Sequence, residues 1–182
     1  MPLLNTITTP YAEAFLQVAS SRKEVDEIID QAKSVLKLWE ECPDFRNAMA
    51  SPVLEVDSKK AAIQKLFSDQ VTPSFLNLLK LLADRQRIGF LDSVLERLIE
   101  LYREQRNIAL ATVTSASELT DDQQNDLLKK IQSIAGTDNL ELNLKVDSDL
   151  IGGFVVTVGS KVIDASLAGQ VRRLGLALAK VT

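Results

Sequence analysis

Apolar residues in the first hundred positions recur with the period of an α-helix. The segment 23–41 shows this most clearly, because its apolar side chains fall on one face within an arc of about 120°; they are Val25, Ile28, Ile29, Ala32, Val35, Leu36 and Trp39. Proline and glycine interrupt the pattern and predict five further helices, over about 11–19, 43–50, 58–67, 73–85 and 90–105. The first is predicted to begin near Thr9-Pro10, since proline fits the first turn of a helix.

The pattern changes after about residue 107, where β-branched residues begin to alternate with other residues. Four strands are predicted, over 107–115, 140–146, 154–158 and 161–164. Between the first two strands, Thr120 and Gln123 have the spacing of a capping box, which predicts a helix from Thr120 to about Ala135. A final helix is predicted over 165–180, with an apolar stripe of Leu167, Val171, Leu174 and Leu178. Leu176 points away from this stripe and is a hint of a second contact surface.

These elements predict a mainly α protein in which a bundle of six helices is followed by a small α/β domain. We place the N-terminal bundle at residues 1–105 and the α/β domain at residues 106–182. The boundary region contains no Gly, Pro or Ser between Arg103 and Asn107. A continuous helix is therefore one way for the two domains to be joined.

Composition narrows the possible chemistry. The net charge is −4, and a mildly acidic chain gains no affinity from phosphate neutralisation, so nucleic acid is a poor candidate partner. The chain has no histidine, which removes the commonest general base, and its single cysteine, Cys42, excludes an internal disulfide. The N-terminus has no secretory pattern, and the apolar runs are shorter than the ~20 residues that cross a bilayer. We therefore expect membrane association only through a partner.

Three segments carry residues that catalysis or ligand binding could use. Gly153 to Lys161 contains two glycines and a lysine, but the spacing and order differ from a phosphate-binding loop, so we interpret it as a hairpin turn. Asp147 and Asp149 are interpreted as a turn at a strand end rather than a metal site. Arg172-Arg173 is interpreted as a solvated or protein-binding face. The sequence predicts no catalytic residue, no cofactor and no metal.

Two helices have apolar faces that are wider than the core of their own domain needs. At 100° per residue, the apolar residues of 11–20 cover about 200°, and those of 75–84 cover still more. Such a helix is either central in the bundle or offers apolar surface to a partner helix. The helix 90–105 also has an arc near 180°, so width alone leaves both alternatives open. We hypothesise a groove lined by Tyr11, Phe15, Leu76 and Leu79.

The segment from Val146 to Leu174 carries a recognisable pattern. It has an aspartate before Leu150-Ile-Gly-Gly153, then Ile163-Asp-Ala-Ser166 leading into the last helix. This pattern resembles the C-terminal signature of ATP synthase delta subunits, the homologues of the mitochondrial oligomycin-sensitivity-conferring protein. Weaker agreement extends over the chain, at Tyr11-Ala-Glu-Ala-Phe-Leu16, Ser51-Pro52 with Lys59-Lys60, Leu78-Leu79 through Arg87, and Val113-Thr-Ser-Ala116. The turn Gly159-Ser-Lys161 and the segment 168–173 are closest to cyanobacterial or plastid members.

The resemblance implies a non-catalytic stator subunit of a rotary proton-translocating ATP synthase. Such a subunit grips the N-terminal helix of an alpha subunit between its first and fifth helices and binds the b-type peripheral stalk through its C-terminal domain. We expect the groove residues to be Tyr11, Ala14, Phe15, Val18, Leu76, Leu79 and Lys80. We expect the stalk-binding residues to be Arg172, Arg173 and Leu176. The implied location is the cytoplasmic or stromal side of an energy-transducing membrane, with the thylakoid favoured over the plasma membrane.

Two other readings remain open from the residues alone. The first is a helical adaptor or scaffold of an unrelated complex, which would have the same wide apolar faces. The second is a nucleotide-binding or phosphoryl-transfer enzyme that uses the glycine-containing turn near Gly159.

Overall fold

The computed structural model describes residues 2–117, 119–135, 139–159 and 161–179; within these ranges, the side chains of 2–5, 121, 133–135 and 174–179 are outside the description. The chain divides into two compact units, Met1–Glu104 and Gln105–Thr182. The division falls in the last turn of a helix that ends at Arg106.

The N-terminal unit is helical throughout, which confirms the predicted type of fold. Its helices are α1 (Pro2–Arg22), α2 (Val25–Glu41), α3 (Pro43–Ala50), α4 (Val56–Phe67), α5 (Pro73–Asp84) and α6 (Leu91–Arg106). A single 3-10 turn, Ile88–Phe90, precedes α6. The prolines at the starts of α3 and α5 occupy the first helical turn, where a missing N–H costs nothing.

Helix α1 is longer than the sequence pattern predicts. It begins at Pro2 and runs through Pro10, whereas the prediction placed its start near Thr9-Pro10. Proline inside a helix removes one hydrogen bond and costs roughly 3 kcal/mol or more. Thr8 and Ala12, one turn apart and on either side of Pro10, are both fully buried. The buried face therefore continues across the proline, and packing offsets the lost bond.

The start of α5 is fixed by side-chain hydrogen bonds to two elements. The Thr72 hydroxyl caps the helix by accepting from the Phe75 N–H at 3.3 Å. The amide oxygen of Gln31, on α2, accepts from the Thr72 N–H at 3.0 Å and from its hydroxyl at 3.2 Å. Because these groups are partly or wholly buried, the bonds hold the first turn of α5 in one position against α2.

The six helices of the N-terminal unit enclose one apolar core. Its largest fully buried side chains are Trp39, Phe75, Ile28, Ile63, Leu79, Leu82, Leu91, Leu95, Leu98 and Val94. Each such side chain contributes roughly 1.5–3 kcal/mol relative to exposure. The Trp39 ring meets Phe45 edge-on with centroids 5.6 Å apart. Its indole N–H is buried and has no hydrogen-bond acceptor within the described part of the chain.

Helix α5 lies at the centre of this core, and one of its faces also reaches solvent. Leu79 is 1% exposed, whereas Leu81, two positions further, is 42% exposed. The two readings of its wide apolar arc, a central helix or a partner-binding one, are thus both compatible with the structure. The core takes most of the arc, and one edge of it remains open.

The described residues of the C-terminal unit form a four-stranded sheet with two helices, which confirms the predicted α/β class. Its elements are β1 (Ala109–Ser115), α7 (Asp121–Ala135), β2 (Leu140–Val146), β3 (Phe154–Val158), β4 (Lys161–Asp164) and α8 (Leu167–Ala179). The strand order is β2-β1-β3-β4. Strands β1 and β2 are parallel and are joined through α7, while β3 pairs antiparallel with both β1 and β4.

The alternation of buried and more exposed residues along the strands, together with the cap of α7, explains how this unit is built. One sheet face carries the buried residues Ala111, Val113 and Val156, and α7 covers it with Leu127 and Ile131. The predicted capping box of α7 is confirmed in both directions. The Gln123 N–H donates to the Thr120 hydroxyl at 3.4 Å, and the Thr120 N–H donates to the Gln123 side chain at 3.0 Å.

The two faces of α5 give a direct test of this packing. We expect Leu79→Ala to lower the free energy of unfolding by about 2–5 kcal/mol, because it leaves a cavity in the core. The matched change Leu81→Ala removes a side chain that is already nearly half in water, and should cost about 1 kcal/mol or less. Urea unfolding followed by circular dichroism measures both values. Equal losses in the two variants would contradict the assignment of the faces.

Candidate functional site

An open groove of about 410 Å³ lies between α1 and α5. Helix α1 contributes side chains one turn apart along one face, and α5 contributes the facing stripe. The lining residues are Pro10, Tyr11, Ala14, Phe15 and Val18 from α1, and Ser74, Asn77, Leu78 and Leu81 from α5. Most of these side chains are apolar, so the groove offers apolar surface to a partner.

Two aromatic rings hold the helices together beneath the groove. Phe15 of α1 meets Phe75 of α5 edge-on, with ring centroids 5.8 Å apart and planes at 75°. Both rings are buried, and edge-on aromatic pairs add about 0.5–1.5 kcal/mol beyond the area that they bury. Val18 and Leu81 rise on opposite sides of this floor and are both exposed.

Polar contacts occupy the two ends of the groove. At one end, Arg22 donates to the Ser74 hydroxyl at 2.9 Å, and that hydroxyl donates to Glu24 at 3.0 Å. At the other end, Arg87 donates to the Tyr11 hydroxyl at 2.9 Å. The last residue of α1, Arg22, thus contacts the start of α5, and Tyr11, earlier in α1, contacts Arg87, which follows α5. The two helices therefore run antiparallel.

The structure brings four of the predicted groove residues together. Tyr11, Ala14, Phe15 and Val18 all line the groove, as the face of the first helix suggested. Whether a partner occupies it remains a prediction.

Three other predicted groove residues, Leu76, Leu79 and Lys80, are not among the residues that line this groove. Leu79 is fully buried in the core, and the Lys80 ammonium donates to the Gln64 side chain on α4. Burial alone does not separate Leu76 from the lining residue Leu78, since both are buried. The groove stripe of α5 is instead Ser74, Asn77, Leu78 and Leu81. An angular count shows that the arc is wide, but it does not show which edge of the arc faces the core. The exposed polar residue Asn77, next to Leu78 and one turn before Leu81, was the available signal for the open edge.

A second concavity of about 510 Å³ lies between α2 and the end of α4. Val35 and Phe67 line it, but so do charged side chains, which are Glu27, Asp30, Lys37 and Glu41. Such a charged lining favours solvent over an apolar helix. The α1–α5 groove is therefore the better candidate for helix binding.

In the C-terminal unit, the two predicted stalk-binding arginines contact Asp164. Arg173 donates to the Asp164 carbonyl oxygen at 2.9 Å. The Arg172 guanidinium lies 3.7 Å from the Asp164 carboxylate and is largely exposed. Both side chains help to hold the start of α8 against β4, and Arg172 keeps most of its surface free. The third predicted residue, Leu176, has a side chain that lies outside the described residues.

Asp164 and Ser166 together build the N-terminal cap of α8. The Ser166 hydroxyl accepts from the Gly169 N–H at 3.0 Å, as an N-cap does. Asp164 in turn accepts from the Ser166 hydroxyl at 2.6 Å and from its N–H at 2.9 Å. These two hydrogen bonds, helped by Arg172 and Arg173, lower the pKa of the Asp164 carboxyl. Gly169 packs directly on that carboxylate, where a Cβ atom would overlap it.

An exposed apolar patch adjoins this cap. Ile151, Leu167 and Val171 are all exposed, and the Leu167 N–H donates to the Gly152 carbonyl at 3.0 Å, which brings the loop to the helix. We call these three residues the α8 patch. The sequence pattern placed Leu167 and Val171 on the apolar stripe of the last helix. Their exposure shows that this end of the stripe faces solvent.

The two other candidate segments are turns, as interpreted. Val158 of β3 pairs with Lys161 of β4, so Gly159 lies in the turn that joins these strands, and its φ of +56° suits glycine. The Asp147 carboxylate accepts from the Asp149 N–H at 3.0 Å, which is an Asx turn at the end of β2.

Comparison with known proteins identifies the family. The family model described as ATP synthase delta (OSCP) subunit matches residues 7–178. The chain belongs to this family. It is therefore a stator component of a rotary ATP synthase, and its role is structural rather than catalytic.

Close relatives of this delta-family chain share its full length. It is 80% identical over 182 residues to the ATP synthase subunit delta of Prochlorococcus marinus strain NATL1A, covering 100% of both chains. It is 62% identical over 181 residues to the organellar chromatophore ATP synthase subunit delta of Paulinella chromatophora, again covering 100% of both. These matches confirm the cyanobacterial-like character that the sequence predicted.

The fold of the delta-family chain also matches a solved structure. A chain in the cryo-EM structure of the Toxoplasma gondii mitochondrial ATP synthase hexamer superposes with a TM-score of 0.72, covering 93% of this chain and 96% of that one. The identity is 21%, so this likeness concerns the fold. Among the described residues, no helix has the length and apolarity needed to cross a membrane.

The Asp164 cap predicts a pH dependence of stability. Folding lowers the pKa of the Asp164 carboxyl, so the ionised carboxylate stabilises the folded state at pH values above its unfolded-state pKa of about 3.9. This stabilisation is lost as the pH falls through the lower pKa of the folded state. We expect Asp164→Asn to reduce the loss of stability of the C-terminal unit as the pH falls below about 4. Thermal unfolding monitored by NMR signals of β1 and β3 measures this. Asp149→Asn is the control, and an unchanged loss of stability in Asp164→Asn would contradict the assignment.

Proposed function

We propose that the α1–α5 groove holds the N-terminal helix of an alpha subunit of the catalytic head. The C-terminal unit would bind the b-type subunits of the peripheral stalk. The protein would then join the head to the stalk, so that the head stays still while the central rotor turns. The observation that carries this proposal is the apolar groove, in which Val18 and Leu81 are exposed above a buried aromatic floor.

The dimensions of the groove suit a short amphipathic helix. From Tyr11 to Val18, α1 advances about 10 Å at 1.5 Å per residue, which corresponds to two turns of a bound helix. Such a helix places apolar side chains at positions i, i+3 or i+4, and i+7 along the groove. A stable stator needs tight attachment, and nanomolar affinity corresponds to about −12 kcal/mol. A few large apolar anchors over Phe15 and Leu78 can supply much of this.

The α8 patch supports the second attachment. Ile151, Leu167 and Val171 form its apolar centre, and Arg172 lies beside it with most of its side chain exposed. An apolar centre with arginine at the edge is the composition favoured in protein interfaces. The proposed stalk contact therefore includes the α8 patch as well as Arg172 and Arg173.

The location follows from these attachments. Because the chain would reach the membrane only through the complex, we assign it to the cytoplasmic side of an energy-transducing membrane. The cyanobacterial relatives support the thylakoid rather than the plasma membrane.

A charge in the groove should abolish binding of the alpha subunit. We expect Leu81→Glu to weaken binding of a synthetic alpha-subunit N-terminal peptide by about 100-fold or more, because the carboxylate would be covered without a partner. Isothermal titration calorimetry measures the affinity.

The matched control is Leu66→Glu on α4, since Leu66 is 48% exposed, lies on a helix and does not line the groove. Its affinity should stay within about twofold of the unchanged protein. Failure of the unchanged protein to bind the peptide at micromolar concentration would contradict the proposal. Equal losses in both variants would contradict it as well.

A charge in the α8 patch should weaken binding of the stalk. We expect Ile151→Asp to reduce the affinity for the soluble part of the b-type subunits by about tenfold or more. Val53→Asp is the control, because Val53 is also a β-branched loop residue and has a similar exposed fraction. Ile151 is 84% exposed and Val53 is 89% exposed. Surface plasmon resonance with immobilised b-type subunits compares them. An effect of Val53→Asp equal to that of Ile151→Asp would argue against the patch.

A further inference from the structure

Arg87 lies at one end of the groove and has unused hydrogen-bonding capacity. It follows α5, donates to the Tyr11 hydroxyl at 2.9 Å, and lies with its guanidinium carbon 5.6 Å from the centroid of the Tyr11 ring. Its side chain is exposed. No carboxylate in the described part of the chain lies within 4 Å of it. A guanidinium has five N–H donors in a fixed plane, so donors remain for a ligand.

The opposite end of the groove differs in charge. There, Arg22 and Glu24 meet through the Ser74 hydroxyl, which accepts from one and donates to the other. The positive and negative charges at that end largely balance each other. The groove is therefore apolar along its length, balanced at the Ser74 end and positive at the Tyr11 end.

We propose that Arg87 is a specificity-determining residue of the groove, which binds a carboxylate on one end of the docked helix. The proposal rests on the function proposed above. An Arg–carboxylate pair is planar and directional, and it strengthens when a covering helix removes water from it. The pair fixes which end of the docked helix lies at Tyr11, and it also sets the helix register. The occupant is an amphipathic helix with an acidic residue beyond its apolar stripe.

The test is a double-mutant cycle measured by calorimetry in the full-length chain. The probes are the alpha-subunit N-terminal peptide and variants of it in which each Asp or Glu in turn becomes Asn or Gln. We expect Arg87→Gln to lower the affinity about tenfold, as is typical of a hydrogen bond to a charged group. One peptide variant should lose affinity for the unchanged protein by the same factor. Arg87→Gln combined with that peptide variant should lower the affinity no further than either change alone. The affinity should also depend less on salt in Arg87→Gln.

Two variants separate this role from a merely structural one. Arg85→Gln changes the same residue type two positions away, whereas the arginine that contacts the groove residue Tyr11 is Arg87. Arg85→Gln should therefore leave the affinity unchanged. Tyr11→Phe removes the hydroxyl that Arg87 contacts. If the loss of affinity caused by Arg87→Gln adds to the loss caused by every peptide variant, no peptide carboxylate is coupled to Arg87, and the proposal is overturned. So would a Tyr11→Phe variant that reproduces the whole effect of Arg87→Gln, since Arg87 would then act only by holding Tyr11.

The outcomes also distinguish this proposal from the one on which it rests. If the unchanged protein does not bind the peptide, both proposals fail. If it binds and Leu81→Glu abolishes binding while Arg87→Gln has no effect, the groove function stands and the role of Arg87 is overturned.

Discussion

The contact between Phe15 and Phe75 is the interaction on which the N-terminal unit and its groove both depend. It closes the core between α1 and α5, and it is also the floor on which a partner helix would lie. Both rings are buried and edge-on in the chain without a partner, so their contact is already made before any partner arrives. A groove formed in advance loses less entropy on binding than one that must be ordered by its ligand.

The C-terminal unit depends on a different kind of constraint, which is close approach of the backbone. Gly153 has a φ of +81°, and a Cβ atom there would overlap the Ala165 carbonyl. Together with Gly169 beneath the Asp164 carboxylate, it lets the loop before β3 and the start of α8 come together. The residues that make the family recognisable thus build and support the α8 patch. None of them needs to take part in catalysis.

Much of the fold could be predicted from periodicity and from local caps. The predicted strands 140–146, 154–158 and 161–164 have the observed limits, and the Thr120 capping box marks the start of α7. The Pro10 boundary was missed because local propensity favours a helix start there, and only tertiary burial of Thr8 overrides it. The α5 side of the groove was missed for a related reason. Both edges of its arc are leucine-rich, and which edge the core covers is decided by packing with other helices.

The position of Trp39 has a consequence for optical experiments on this protein. It is the single tryptophan of the chain, and its indole is enclosed between α2 and α3 without a hydrogen-bond acceptor among the described residues. An indole in such surroundings emits at short wavelength, and its emission moves to the red only when water reaches it. Trp39 does not line the α1–α5 groove. Tryptophan emission therefore reports on the integrity of the bundle and not on the groove, so docking is better followed with a label placed beside the groove.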